Sequence, residues 1–252
     1  MYRKIQLLFC FVFICTNFFG CDAQTKTDDK TDPKQYLLGK FDYTKDKDFV
    51  QLDSFYTDDR KDFYLRKETY EAYKKMFAAA FKDSVKLVII SAERSFEDQK
   101  IIWENKWNGK ATINGKRIPY NLYTNVDKAK YILQSGSMPG TSRHHWGTDI
   151  DLNSTEKEYF ETTKGKLIYS WLKQNAKKFG FYQPYTPFDS KRSKGYDEEM
   201  WHWSYLPSAK AILGNYRKNI TYKDFTGFLG ADAAEKLQVI EDYVMSINSE
   251  CK

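Results

Sequence analysis

The sequence predicts an α+β fold, on three observations. Between Lys67 and Phe81, Tyr70, Tyr73, Phe77 and Phe81 recur at three- and four-residue steps around Ala78-Ala79-Ala80, the pattern of an amphipathic helix. Val85 to Ile90 is a short, apolar, β-branched run of strand length. Thr148-Asp149-Ile150-Asp151-Leu152 alternates polar and apolar residues, as a half-buried strand does. Helices and short strands therefore share a chain of 252 residues, long enough for one large domain or two small ones.

From the start of the chain, Met1-Tyr2-Arg3-Lys4 is basic, and Ile5 to Phe19 is almost wholly apolar but short for a membrane span. Residues 1–20 read as a signal peptide. Phe18-Phe19-Gly20-Cys21 resembles a bacterial lipobox, although Phe18 departs from the usual Leu. It implies export to the cell envelope, periplasmic or surface side, with a lipid anchor at Cys21; plain secretion is the alternative. Residues 21–35 are rich in Thr, Lys and Asp without apolar periodicity and read as a flexible tether. Leu37-Leu38 and Phe49-Val50-Gln51-Leu52 suggest short strands or docking turns.

After the strand at Val85–Ile90, Ser95-Phe96-Glu97-Asp98 reads as a capping box that opens a helix through about Trp107, with Ile101, Ile102 and Trp103 inward. Asn108 to Tyr123 is a Gly-punctuated loop, Val126 to Gln134 a short helix, and Ser135 to Thr141 an exposed loop. Glu158 to Thr162 is a short helix or turn. Lys166 to Phe179 is a helix with Leu167, Trp171 and Leu172 inward, stopped by Gly180. Phe181-Tyr182 opens a strand, Tyr185 to Tyr196 is a loop, and Met200 to Tyr205 is a strand. Ser208 to Arg217 and Ala231 to Ile247 read as helices. No internal repeat is visible.

Charge and cysteine usage exclude whole classes. The formal net charge of +6 comes with acids interspersed throughout, and no Lys/Arg cluster is dense enough for a nucleic-acid groove. The four cysteines are Cys10, Cys15, Cys21 and Cys251, which leave neither a disulfide framework nor a CxxC pair for a thiolate zinc site. Aromatics reach 17%, which suits either a core or a sugar- or peptide-binding cleft.

Chemistry concentrates in two stretches. Two of the three histidines lie in Ser142-Arg143-His144-His145-Trp146-Gly147-Thr148-Asp149-Ile150-Asp151, and the third is in Glu198-Glu199-Met200-Trp201-His202-Trp203. His144, Asp151 and His202 make a set of three protein ligands, the number a catalytic zinc takes while keeping a fourth position for water. Glu199, three residues before His202, is placed as a general base. His144 and Asp151 are seven apart, so on one unbroken strand they face opposite ways; the chain must bend, and Gly147 is where it does so cheaply. Asp149 shares a face with Asp151 and by spacing alone competes as the ligand. Singly, each of these residues is more ordinarily a packed, paired or turn residue; the case is joint. Between Glu198 and Glu199, strand periodicity favours Glu198, four residues from His202.

Ser142-x-His144-x-x-Gly147-x-x-x-Asp151 followed by Glu199-x-x-His202 resembles the VanY-type zinc D-alanyl-D-alanine carboxypeptidases, whose motifs read S-x-H-x-x-G-x-A-x-D and E-x-x-H. Ser91-Ala92-Glu93-Arg94-Ser95-Phe96-Glu97-Asp98-Gln99 and Asn175-Ala176-Lys177-Lys178-Phe179-Gly180-Phe181 match further segments in the family's order, and the matches span about residues 65–206. Asp149 stands where the motif has Ala, and Glu93 where Tyr is common. The resemblance implies a small, mostly antiparallel sheet with flanking helices and a zinc site at the sheet. It implies a peptidase domain over 36–220, followed by a helical extension, 221–252, packed on it. It implies zinc held by His144, Asp151 and His202, catalysis by Glu199 and Arg94, and substrate contacts from Ser142, Arg94 and Gln99. The expected substrate is a peptidoglycan stem peptide losing its C-terminal D-alanine. An L,D-carboxypeptidase, an endopeptidase or a non-catalytic, zinc-containing cell-wall-binding lipoprotein are the alternatives.

Overall fold

Asp32, whose side chain accepts from the Lys34 N–H, caps the first helix, α1 (Pro33–Leu37), and opens the residues that the computed structural model describes, 32–252. The expected signal peptide and the lipobox Cys21 lie outside the described residues. The expected tether over 21–35 reaches into α1, where Lys34 pairs with Asp224 at 2.9 Å. Strands β1 (Phe49–Gln51) and β2 (Tyr64–Arg66) form an antiparallel pair. Helix α2 (Lys67–Lys82) follows at once. Tyr70, Tyr73 and Phe77 point into the core as the periodicity predicts, but Phe81 is exposed and stacks on Phe77 at the end of the row.

Strand β3 is shorter than expected, Ile89–Ser91, although Val85 and Leu87 before it are buried. Ser95 and Asp98 close the capping box of α3 (Phe96–Trp107). The buried face of α3 is Phe96, Gln99, Trp103 and Trp107; Ile101 is exposed, because the helix meets the core at steps of three and four counted from Phe96. Helix α4 (Asn125–Ile132), β4 (Asp149–Leu152), α5 (Lys157–Glu161) and α6 (Thr163–Asn175) come next. In α6 Ile168, Trp171 and Leu172 are buried, whereas Leu167 is exposed. Gly180 at φ +83 ends the following turn, as the sequence implies. Strands β5 (Phe181–Tyr182) and β6 (His202–Tyr205) lead into α7 (Leu206–Asn219).

Four strands make one antiparallel sheet in the order β3-β4-β6-β5. One face is apolar: Ile89, Ile150, Leu152, Phe181 and Trp203 join Tyr73, Met76 and Phe77 of α2 and Ile168, Trp171 and Leu172 of α6. A second core gathers Trp103 and Trp107 of α3, Ala129 and Ile132 of α4, Leu206, Leu213 and Tyr216 of α7, and Trp146. Residues 221–252 supply Phe225, Phe228, Val239, Ile240, Val244 and Ile247 to that second core. They do so without the helix expected over 231–247. The segment holds 3-10 turns at Tyr222–Asp224, Ala231–Ala233 and Ser249–Cys251, and one π turn at Ile240–Val244. Gln238 at φ +46 interrupts any regular helix there. Among the described residues no helix is long and apolar enough to cross a membrane.

Candidate metal centre

The register of the two central strands builds the site. Asp151 lies opposite His202 and Asp149 opposite Ser204. Because side chains alternate along a strand, all four share the face opposite Ile150, Leu152 and Trp203. Every residue of β4 is buried, so this strand is covered on both faces, not half-buried as its alternation suggests. Its polar face is covered by the site itself.

His144 reaches the same face by the bend that its odd spacing from Asp151 demands. Arg143–Trp146 is a 3-10 turn whose first N–H groups are capped by Ser142, with the Ser142 hydroxyl accepting from the His144 N–H at 3.3 Å. Gly147 then turns the chain at φ +66 into β4. A Cβ there would collide with the Phe49 ring.

The expected ligands come together. His144 Nε2 is 3.3 Å from Asp151 Oδ2, and His202 Nδ1 is 3.1 Å from Asp151 Oδ1. One ligand atom of each residue lies within 4.8 Å of the others, and all three residues are buried. His144 Nδ1 faces the Ala92 carbonyl at 2.7 Å. A carbonyl only accepts, so Nδ1 carries the proton and Nε2 is left with its lone pair. His144 Nε2 and Asp151 Oδ1 are buried without a hydrogen-bond partner. Such orphaned atoms cost free energy unless something satisfies them, and two imidazole nitrogens with one carboxylate oxygen are the donor set of a catalytic zinc site. The residues therefore fit a divalent metal.

Electrostatics are strongly tuned. Burial pulls the pKa of His202 down, but pairing with Asp149 and Asp151 outweighs it and pushes it up to about 10. Burial raises Asp151, and the histidines beside it overcome this, holding its carboxyl well below the usual range. Burial pulls His144 down, with the Arg94 charge reinforcing it.

The two neighbouring glutamates separate. Glu199 Oε2 is 3.4 Å from His202 Nδ1. Glu198 Oε1 instead accepts from the Tyr169 hydroxyl at 2.6 Å. The backbone is irregular here: the His202 N–H points to the Glu199 carbonyl at 3.3 Å, so the chain turns before β6 begins. Gln183 fixes that turn by donating to the carbonyls of Glu199 and Tyr185, at 3.0 and 3.1 Å. Burial pushes Glu199 up to about 7, with His202 and Arg94 opposing and Asp151 reinforcing.

Arg94 lies beyond the end of β3, within electrostatic reach of Asp151 and Glu199, and its Nε is buried without a partner. His145 holds its backbone. His145 Nδ1 donates to the Arg94 carbonyl at 2.7 Å, and Nε2 accepts from the Gly140 N–H at 3.0 Å. Gln99 is buried and ties the 135–141 loop to α3 by donating to the Ser137 carbonyl at 2.8 Å. Its Oε1 is unpartnered.

Sequence reading missed Arg143, Thr148, Ser204 and Gln183. Ser204 was findable, because it sits two residues after His202 on a strand and so shares its face. Arg143 carried no signal.

The chain is similar to known proteins over most of this fold. The family model for VanY, D-alanyl-D-alanine carboxypeptidase, matches residues 62–208. The Bacillus subtilis (strain 168) protein YodJ, a carboxypeptidase by name, is 32% identical over 160 residues, which are 60% of this chain and 50% of that protein. A D-alanyl-D-alanine carboxypeptidase of Enterococcus faecalis (strain ATCC 700802 / V583) is 29% identical over 150 residues, 60% of this chain and 51% of that one. The chain thus spans about half the length of these two relatives. The LdcB LD-carboxypeptidase, whose structure is described for its peptidoglycan recognition, superposes with a TM-score of 0.52 at 24% identity, covering 76% of this chain and 85% of LdcB, and shares the fold. With the family's match spanning more than half of its residues, the chain belongs to the VanY D-alanyl-D-alanine carboxypeptidase family.

Proposed function

We propose that the chain is a zinc-dependent carboxypeptidase that removes the C-terminal D-alanine from peptidoglycan stem peptides. The observation that carries this is the convergence of His144 Nε2, Asp151 and His202 Nδ1 in one buried cluster, with Glu199 Oε2 3.4 Å from that nitrogen. A site that served structure alone has no use for a carboxylate at that place. Membership of the VanY family supports peptidoglycan peptides as the substrate class.

His144, Asp151 and His202 would hold the zinc ion. Zinc bound there supplies Lewis-acid polarisation of the scissile carbonyl and lowers the pKa of water to roughly 7. Glu199 takes a proton from the attacking water at Oε2 and gives it to the leaving amine. The Arg94 guanidinium, already close to Asp151 and Glu199, offsets negative charge that develops on the carbonyl oxygen. Ser142 and Gln99 act from the walls: Ser142 fixes the turn that carries His144, and Gln99 holds the 135–141 loop, with its Oε1 buried and unpartnered.

The test is digestion of defined tri-, tetra- and pentapeptide muropeptides by the zinc-loaded full chain, with products identified by mass. Loss of one alanine from the pentapeptide is expected, and a cut confined to the tetrapeptide would move the assignment to an L,D-carboxypeptidase. Glu199→Ala should retain zinc and lose about 10²–10⁴-fold in turnover, whereas Glu198→Ala, which removes one of the two acceptors of the Tyr169 hydroxyl, should lose less than about tenfold. His202→Ala should lose most of the zinc. All three peptides left intact by zinc-loaded protein would sink the reading.

A further inference from the structure

We infer that Asp149 is the positioning residue of the metal centre: it holds the His202 ring with Nε2–H toward itself and Nδ1 presented to the metal. This rests on the zinc reading above. Spacing alone made Asp149 a rival ligand to Asp151, and the geometry gives it a different task.

Both Asp149 oxygens are occupied. Oδ2 accepts from Arg143 Nε at 2.8 Å and lies 2.9 Å from His202 Nε2. Oδ1 accepts from the Thr148 hydroxyl at 2.6 Å and the Ser204 hydroxyl at 2.8 Å. Arg143 closes the ring by donating to Ser204 Oγ at 2.6 Å. Asp149 and Arg143 are fully buried. A carboxylate with four donors on it has little left to offer a cation.

The consequence falls on His202. An ionised carboxylate can only accept, so the ring nitrogen that faces it must carry a proton. With Nε2–H held by Asp149, the proton that His202 gives up on binding metal is the one on Nδ1, which then offers its lone pair. Nδ1 is the atom 3.1 Å from Asp151 Oδ1 and 3.4 Å from Glu199 Oε2. The two metal-facing histidines are thus set in opposite tautomers by two acceptors, the Ala92 carbonyl for His144 and Asp149 for His202. Of the two, only the His202 partner carries charge, and it is clamped by Arg143. Partners of this kind, when removed, typically weaken metal binding about 10–100-fold.

A purely structural role, as the counter-charge of buried Arg143, makes a different prediction, and a matched pair of variants separates the two. Asp149→Asn and Asp149→Leu have similar shape, and both leave Arg143 without its anion. In Asp149→Asn the amide oxygen still sits where Arg143 Nε and His202 Nε2 both donate; Asp149→Leu has no acceptor. With zinc as the probe and a chelator as competitor, the full-length Leu variant should bind about 10–100-fold more weakly than the Asn variant. Equal affinities would overturn the inference. Leaving a buried charge unpaired can unfold a protein, so a second measurement uses the wild type alone. Zinc-loaded chain labelled with ¹⁵N-histidine should show a slowly exchanging proton on His202 Nε2 and a metal-ligand shift on Nδ1. A proton on Nδ1 with metal on Nε2 would overturn the inference even if neither variant folds. Wild-type protein that takes up no zinc removes the zinc reading and this inference together, whereas zinc uptake with indifferent variants removes the inference alone.

Discussion

Glu93 shows at the scale of one residue how burial converts into pH dependence. It is 6% exposed, and neither carboxyl oxygen has a hydrogen-bond partner. Burial pushes its pKa up to about 10, with the Asp98 charge adding to this and the Arg94 charge opposing it. The folded protein therefore keeps a proton that the unfolded chain gives up near the ordinary value of 4.5. Between these two values the native state binds more protons than the unfolded state, so stability falls as pH rises. Glu93→Gln has no proton to lose. Its melting temperature relative to wild type should rise between pH 5 and pH 8, as followed by circular dichroism. A difference that stays constant across that range would mean that Glu93 is ionised in the folded protein. Glu93 stands where the motif that the chain resembles has Tyr; the charges that act on it are those of Asp98 and Arg94, whereas Arg94 also feels Asp151 and Glu199 in the site.

At the scale of an element, the turn between His144 and Asp151 decides whether a site exists. The 3-10 turn Arg143–Trp146 lifts His144 onto the polar face of the sheet, and Gly147 at φ +66 hands the chain to β4. A side chain at this glycine faces two separate costs. The left-handed conformation costs a non-glycine residue about 1–3 kcal/mol. The added carbon would also drive into the Phe49 ring, which is itself buried between Phe41 and Tyr43. Gly147→Ala should lower the denaturant midpoint by an amount equivalent to about 1–3 kcal/mol with the slope unchanged, and should weaken zinc binding in the same preparation. Wild-type stability would mean that the turn relaxes into another conformation.

For the whole molecule, the apolar face of the sheet belongs to one apolar cluster, and the last part of the chain completes the second. Phe225, Phe228, Val239, Ile240, Val244 and Ile247 are buried there, and the Leu229 carbonyl accepts from the Trp103 indole at 2.8 Å. Burying one such side chain contributes about 1.5–3 kcal/mol. Six of them together rival the about 5–15 kcal/mol by which a domain is stable. A chain ending at Ile220 should therefore lose cooperative unfolding and be degraded rapidly in limited proteolysis, although the residues that match the VanY family end at 208. Cooperative melting of that truncated chain would show that the second core closes without its C-terminal part.

Local patterns fixed much of this in advance. The periodicity of α2, the capping box of α3, the glycine stops at Gly147 and Gly180, and the bend forced by the spacing of His144 and Asp151 are properties of neighbouring residues, and they are present in the structure. Metal chemistry restricts which residue types can serve and at what spacing, which singled out His144, Asp151, His202 and Glu199, and the structure brings their side chains together. What sequence could not decide depended on groups far apart in the chain. Strand spacing pointed to Glu198 and the family motif to Glu199; Glu199 lies beside His202 because Tyr169 holds Glu198 away and Gln183 fixes the turn under Glu199. Phe81, Ile101 and Leu167 fit an inward pattern but lie outside it, because what covers a helix face is set by the partner that reaches it. The segment 231–247 has helical composition but only a 3-10 and a π turn in place of an α-helix, since packing against the second core outweighs propensities of a few tenths of a kcal/mol per residue. The surroundings of Asp149 are likewise tertiary: Arg143, His202, Thr148 and Ser204 occupy its oxygens, and the Ser204 and His202 contacts exist only once β4 and β6 are paired.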